Sequence, residues 1–200
     1  MRAGQIAFAC LALALASATR AGGLALRTGT DPETGLRWWR WQAGGVSVYL
    51  AQRLPDQTRA FFLARGFDRA SVDRIAAACV LQLEIRNLGD AVVEADLRRW
   101  RTQDPDGTRR PLLLREHWEQ VWQRLGLPRA QRIAFRWALF PSRVRYGSGD
   151  YNWGMILLGR PPGARVDLAV RLAVGGRPVA AVLPGIECAP DVARLRPEPP

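Results

Sequence analysis

The sequence predicts a mainly β domain interrupted by helices. Three observations carry that reading. Short apolar–polar alternations recur along the chain, turn signals separate them at intervals of about 8–12 residues, and two stretches switch to the helical period. Strands in that rhythm point to an immunoglobulin-like antiparallel β-sandwich with helical insertions. The rival is an irregular α+β fold in which helices pack one antiparallel sheet.

Residues 1–18 read as a secretory signal peptide. Arg2 gives a charged start, Ile6 to Ala16 is an apolar run, and Ala16-Ser17-Ala18 has the small-x-small form of a cleavage site. The run is shorter than the roughly 20 residues a bilayer requires. Cys10 lies inside it, the wrong place for a lipid-bearing cysteine. Later apolar stretches are interrupted, as Gln82 and Glu84 interrupt the one from Ala76. The expected location is therefore periplasmic or secreted, with no transmembrane segment in the mature chain.

Residues 19–35 are small, polar and Gly-rich, and predict a flexible N-terminal arm. A single domain is expected over 36–190, and the Pro-rich residues 191–200 predict a disordered tail. Within the domain, Val46, Val48 and Leu50 alternate with Ser47, Tyr49 and Ala51 as in a half-buried strand. Pro55-Asp56 opens a helix with Asp56 as its cap, and Gly66 closes it. A second helix starts at Asp68 or Ser71, with Val72, Ile75 and Ala76 on one face. Val80 to Asn87 is the clearest strand, since Leu81, Leu83 and Ile85 point one way and Gln82, Glu84 and Arg86 the other. Asn87 to Asp90 turns the chain, and Val92 to Trp100 returns as its partner. Asp104-Pro105-Asp106-Gly107 is a further turn.

Leu114 to Leu125 is predicted as a helix, with Trp118, Val121, Trp122 and Leu125 forming one apolar stripe. Ile133, Phe135, Trp137 and Leu139 alternate and predict a strand. Further strands fit Trp153 to Leu158, Arg165 to Ala173 and Pro178 to Leu183, the last two joined by a Gly175-Gly176 turn. No internal repeat is legible.

Once Cys10 leaves with the signal, Cys79 and Cys188 remain, an even count in an oxidising compartment. They are not in a Cys-x-x-Cys arrangement, so a structural disulfide is predicted rather than a redox pair. The formal net charge is +11, carried wholly by arginine, for the chain has no lysine. One explanation is a cationic surface for an anionic partner. The other is a compositional bias toward Arg, Ala, Gly and Pro, which the scatter of the arginines favours. Export and the lack of a reading motif argue against nucleic acid.

No cofactor and no catalytic residue are predicted. A blue-copper site needs two His, a Cys and a soft axial ligand, but the chain has one His, and Met155 is the only methionine after export. Glu116 and Glu119 do not share the helix face of His117. Gly147-Ser148-Gly149 lacks the spacing of a nucleophile elbow. Asp96, Asp150 and Asp167 are the carboxylates that could serve an acid–base enzyme.

Two aromatic groups are the candidate binding residues. Trp38, Trp39 and Trp41 are interleaved with Arg37 and Arg40; in an extended strand Trp39 and Trp41 share a face, and Trp38 points the other way. Tyr146, Asp150, Tyr151, Asn152 and Trp153 lie on a Gly-rich stretch with the residue types that bind sugars or peptides. Each group also has a bland reading, as Arg–Trp stacking on a sheet or as loop aromatics tucked into the core. The function expected is an exported, non-enzymatic binding or accessory module acting on another macromolecule, either an envelope protein or an anionic envelope polymer. The alternatives are an Arg/Trp-rich binder of an anionic envelope polymer or surface, and a carboxylate-based enzyme.

Overall fold

A computed structural model describes residues 25–192. The expected signal peptide at 1–18 and residues 193–200 of the expected tail lie outside them. The elements in order are β1 (Ala25–Thr30), β2 (Arg37–Ala43), β3 (Val46–Gln52), α1 (Pro55–Leu63), α2 (Arg69–Ala76), β4 (Val80–Asn87), β5 (Val93–Asp96), β6 (Arg101–Gln103) and β7 (Arg109–Pro111). Then follow α3 (Arg115–Arg124), α4 (Arg129–Ala138), β8 (Arg143–Tyr146), β9 (Tyr151–Leu157), β10 (Arg165–Val174) and β11 (Arg177–Glu187). Strands outweigh helices, 42% to 25%, so the chain is mainly β.

The strands form two antiparallel sheets. Sheet 1 runs β1-β2-β3-β4-β9. Sheet 2 is centred on β10, which pairs with β11 along one edge and with both β5 and β6 along the other. β8 and β7 continue the sheet outward from β5 and β6. The strand expected over Val92–Trp100 is thus broken in two. A 3-10 turn at Leu97–Arg99 separates the halves, because the Asp96 carboxylate accepts the Arg98 backbone N–H at 3.2 Å. Trp100 is buried beyond the break, and its indole N–H donates to the Arg171 carbonyl at 2.9 Å.

The facing sides of the two sheets share one core. Trp39, Trp41, Val48, Leu50, Leu83 and Ile85 of sheet 1 meet Val93, Trp100, Leu168, Val170, Leu183 and Ile186, all buried. A second core lies between the helices and the far side of sheet 1. There Phe62, Phe67, Ile75, Trp118, Trp122 and Phe135 pack on Val80, Met155 and Leu157. Trp118 and Trp122 stack at 5.0 Å. Val121 is half-buried and Leu125 exposed, so the apolar stripe of α3 buries only its two tryptophans.

Three expectations need correction. Residues 133–139 are not a strand; they belong to α4 and its exit. Two of the three positions between the apolar residues are Ala134 and Ala138, and alanine is the strongest helix former. In the helix Phe135 is buried in the core with Ala134 and Ala138 packed beside it, while Ile133 and Trp137, four residues apart, are exposed. Residues 19–35 are not wholly a loose arm either. Ala25–Thr30 pairs with β2 along its whole length, so the domain starts at least eleven residues before position 36. Asp56 is not the cap of α1. Leu54 holds that position, and Asp56 instead ion-pairs with Arg59 at 2.8 Å. Asp68 does cap α2, accepting the Ser71 N–H at 2.7 Å.

A repeat is present that the sequence reading missed. The α1–α2 and α3–α4 hairpins are equivalent at positions sixty apart: Phe62 and Trp122, Gly66 and Gly126, Phe67 and Leu127, Arg69-Ala70 and Arg129-Ala130, Ile75 and Phe135. Both connections close alike. Gly66 N–H bonds the Leu63 carbonyl and Phe67 N–H the Phe62 carbonyl; Gly126 N–H bonds Gln123 and Leu127 N–H bonds Trp122. Each glycine has positive φ, at 80° and 69°, which favours glycine at a helix end. The hairpins interlock, with Phe62 against Phe135 at 5.2 Å and Phe67 against Trp122 at 6.3 Å.

Two tethers hold the end of the domain to this body. Cys79 and Cys188 are disulfide-bonded, with Cα atoms 5.2 Å apart across a sequence separation of 109. Three residues beyond Cys188, buried Asp191 receives two hydrogen bonds from Arg59, at 2.9 and 2.6 Å.

Candidate interaction surface

β2 alternates strictly about the sheet plane. Trp39 and Trp41 turn inward and are 1% and 2% exposed. Their faces are spent on the inter-sheet core, and no partner can reach them. Trp38 and Arg40 turn outward. The Trp38 ring lies over Gly29 of the neighbouring strand, where a Cβ would come within 2.6 Å of it. Trp38 tilts against Tyr49 at 6.2 Å.

The second aromatic group divides as well. Tyr146 is buried in the inter-sheet core. Burial raises its phenol pKa far above the usual range, and among the described residues its hydroxyl has no hydrogen-bond partner. Asp150 is used locally, accepting the Gly147 N–H at 2.7 Å and so shaping the β8–β9 turn. Asn152 is half-buried and accepts the Trp153 N–H at 2.8 Å. Of the group's aromatics, Tyr151 and Trp153 reach solvent, at 54% and 65% exposure.

Strand register brings the outward members of both groups onto one face. Arg40 lies opposite Tyr49, Tyr49 opposite Glu84, and Glu84 opposite Trp153. The adjacent row pairs Ser47 with Arg86 and Arg86 with Tyr151. The Arg40 guanidinium lies 5.0 Å from the Tyr49 ring centre, and that of Arg86 4.5 Å from Tyr151. Glu84 pairs with Arg86 at 3.4 Å. The result is an open sheet face of Trp, Tyr and Arg, with the Trp153 indole at its β9 edge. The sequence reading missed Tyr49, Glu84 and Arg86. Their outward parity was legible in the alternation, but their neighbours across the sheet were not. It also placed Trp137 in a strand; on α4 that indole is 80% exposed.

The carboxylates do not assemble into a site. Asp96 on β5 bonds Arg98, whose guanidinium holds its carboxyl below the usual range. Asp167 on β10 accepts the Gly185 N–H at 2.9 Å. With Asp150 in its turn, the three lie on different elements with separate local duties. His117 sits on α3 with its ring edge toward Trp118, and partial burial, with Arg124 nearby, depresses its pKa. Among the described residues no group of three or more His, Cys, Asp or Glu could hold a metal, and no helix is long and apolar enough to cross a membrane. No protein family, curated protein or solved structure matches this chain, so a functional reading must rest on its own geometry.

Proposed function

We propose that the protein is a non-enzymatic interaction module of the cell envelope that docks another protein through the open face of sheet 1. The observation that carries this reading is the convergence of Trp38, Tyr49, Tyr151 and Trp153, from three separate stretches of sequence, on one solvent-facing surface with Arg40 and Arg86. Tyr, Trp and Arg are the residue types enriched at protein interfaces and their energetic centres. Large exposed aromatics mark interaction sites more than stray surface residues do. The surface is flat, and its arginines already cover two of the four rings, which suits a broad protein partner. The Cys79–Cys188 bond supports export to an oxidising compartment, where the partner is another envelope protein. An immunoglobulin-like use of the scaffold fits this role, with two stacked sheets acting as a rigid platform.

The test compares wild type, Trp153→Ala and Val182→Ala in quantitative cross-linking within intact envelopes. Val182 is a similarly exposed apolar residue, 61%, on sheet 2. The expected result is one specific cross-linked partner, reduced at least tenfold by Trp153→Ala and unchanged by Val182→Ala. Equal yields from all three proteins, at equal folded protein, would overturn the assignment.

A further inference from the structure

The outer face of sheet 2 carries a groove of about 560 Å³, on the opposite side of the molecule's core from the aromatic face. Arg143 and Arg145 of β8 stand on one side of it, and Arg171 of β10 and Arg99 on the other. Between β8 and β10 the floor is β5, whose outward side chains are Glu94 and Asp96, and beyond Arg171 it continues over Pro178 and Ala180 of β11. The groove's formal charge is positive, four arginines against two carboxylates.

The arginines are poorly satisfied by those two acids. Asp96 is already engaged by Arg98 at 2.7 Å, and Arg143 approaches it only to 3.8 Å. Arg145 reaches Glu94 at 3.7 Å, beyond a hydrogen bond. Among the described residues no carboxylate is within 4.0 Å of Arg99 or Arg171. Arg143 and Arg145 are each 72% exposed and share one face of β8. β8 is an end strand of its sheet, paired only with β5.

We infer that this groove binds an acidic peptide segment in extended form. Guanidinium groups bind carboxylates in a planar, two-pronged geometry, and arginines on both rims, none of them within hydrogen-bond distance of a groove carboxylate, supply that recognition. An extended peptide spaces same-side residues about 6.8 Å apart, so its carboxylates meet the rims while its backbone crosses the floor. Glu94 and Asp96 repel a polymer with a charge on every unit but tolerate a peptide whose charges are spaced.

Fluorescence anisotropy with a labelled ten-residue alternating Glu-Val peptide tests the inference on the mature protein. Binding is expected at low salt, weakening as salt rises, and absent for the matching Lys-Val peptide. Arg143→Gln/Arg145→Gln should weaken binding at least tenfold, with an unchanged melting temperature because both side chains are exposed. Arg99→Gln/Arg171→Gln tests the opposite rim separately, with the same expectation. Arg27→Gln/Arg69→Gln removes the same net charge elsewhere and should leave affinity within twofold. The inference is overturned if the rim variants bind like wild type, if the remote pair loses as much, or if inorganic polyphosphate displaces the peptide at equal or lower concentration. Trp153→Ala should leave this binding intact, so the two surfaces stand or fall independently.

Discussion

Arg59 has the most ion-pair partners of any charge among the described residues, and its removal should be the most damaging single change outside the hydrophobic cores. Its side chain is 8% exposed and contacts three carboxylates: Asp56 at 2.8 Å, Asp73 at 2.6 Å and Asp191 at 2.6 Å. These contacts raise its pKa, hydrogen bonding to Asp191 first among the causes, so it is charged at every relevant pH. Asp56 and Asp73 are 46% and 39% exposed; such solvated pairs contribute at most about 1 kcal/mol each. Asp191, at 5% exposure, is different. Removing one partner of a buried ion pair costs about 3–5 kcal/mol, since the other charge stays behind. Arg59→Met keeps most of the stem volume and removes the charge. It should cost about 4 kcal/mol, a large part of an ordinary domain's 5–15 kcal/mol. Replacing both partners, as in Arg59→Met/Asp191→Leu, should recover much of that loss, because an apolar pair can substitute for a buried ionic one. Guanidinium unfolding of wild type, both single variants and the double, with the disulfide intact, gives the coupling energy. A coupling of at least about 2 kcal/mol is expected. A single variant costing under about 1 kcal/mol, or a double variant as unstable as the sum of its parts, would refute the clamp.

The remaining predictions concern the cores and the tether. Tyr146→Phe deletes a buried hydroxyl that has no partner among the described residues and should leave the denaturation midpoint unchanged or raise it, by up to about 1 kcal/mol in stability; a loss above that would reveal an unrecognised bond. Gly154→Ala places a Cβ 2.7 Å from the Phe140 backbone nitrogen, where no side chain can move aside. It should cost about 1–3 kcal/mol as overpacking does, and a neutral result in the same unfolding assay would contradict the close crossing. Cys79→Ser/Cys188→Ser opens a loop of 109 residues in sequence separation and should destabilise the domain by up to about 5 kcal/mol on the chain-entropy account. A melting temperature unaffected by both this variant and reductant would remove the bond's structural role.

Elements that bury one face of a regular strand were readable from the chain alone. β4 and β10 alternate because Leu81, Leu83 and Ile85, and Val166, Leu168, Val170 and Leu172, must face the same core. β1 was unreadable for the opposite reason. Leu26, Arg27 and Thr28 are exposed, and the strand is held by backbone pairing to β2, which leaves no mark in side-chain pattern. α4 misled because its apolar residues happen to fall at alternate positions while its true spacers are alanines. The repeated hairpin escaped notice because only Gly and Arg-Ala are literally retained; the rest of the equivalence is one bulky apolar residue exchanged for another. For the candidate surface, parity was legible and direction was not. The sequence places Trp39 and Trp41 together, but which side of a strand becomes the interior is decided by packing against sheet 2, whose core residues run from Val93 to Ile186, far along the chain.

The open face exists because of how one strand is covered. Tyr151, Trp153, Met155 and Leu157 alternate along β9 and share a side. Met155 and Leu157 are under the helices, at 4% and 1% exposure, whereas Tyr151 and Trp153 are at 54% and 65%. The change occurs at Gly154. There the chain leaving α4 wraps round the edge of the strand: Leu139 stays in the helical core, Phe140 enters the inter-sheet core, and the Phe140 N–H bonds the Met155 carbonyl at 2.9 Å. A side chain at 154 would block that passage, so the glycine fixes where the helical cover stops. Burying two aromatic side chains is worth about 1.5–3 kcal/mol each. A chain that already lays four helices on this side of the sheet and leaves those two rings in water has forgone that stability, and a docked partner covering Tyr151 and Trp153 would restore it.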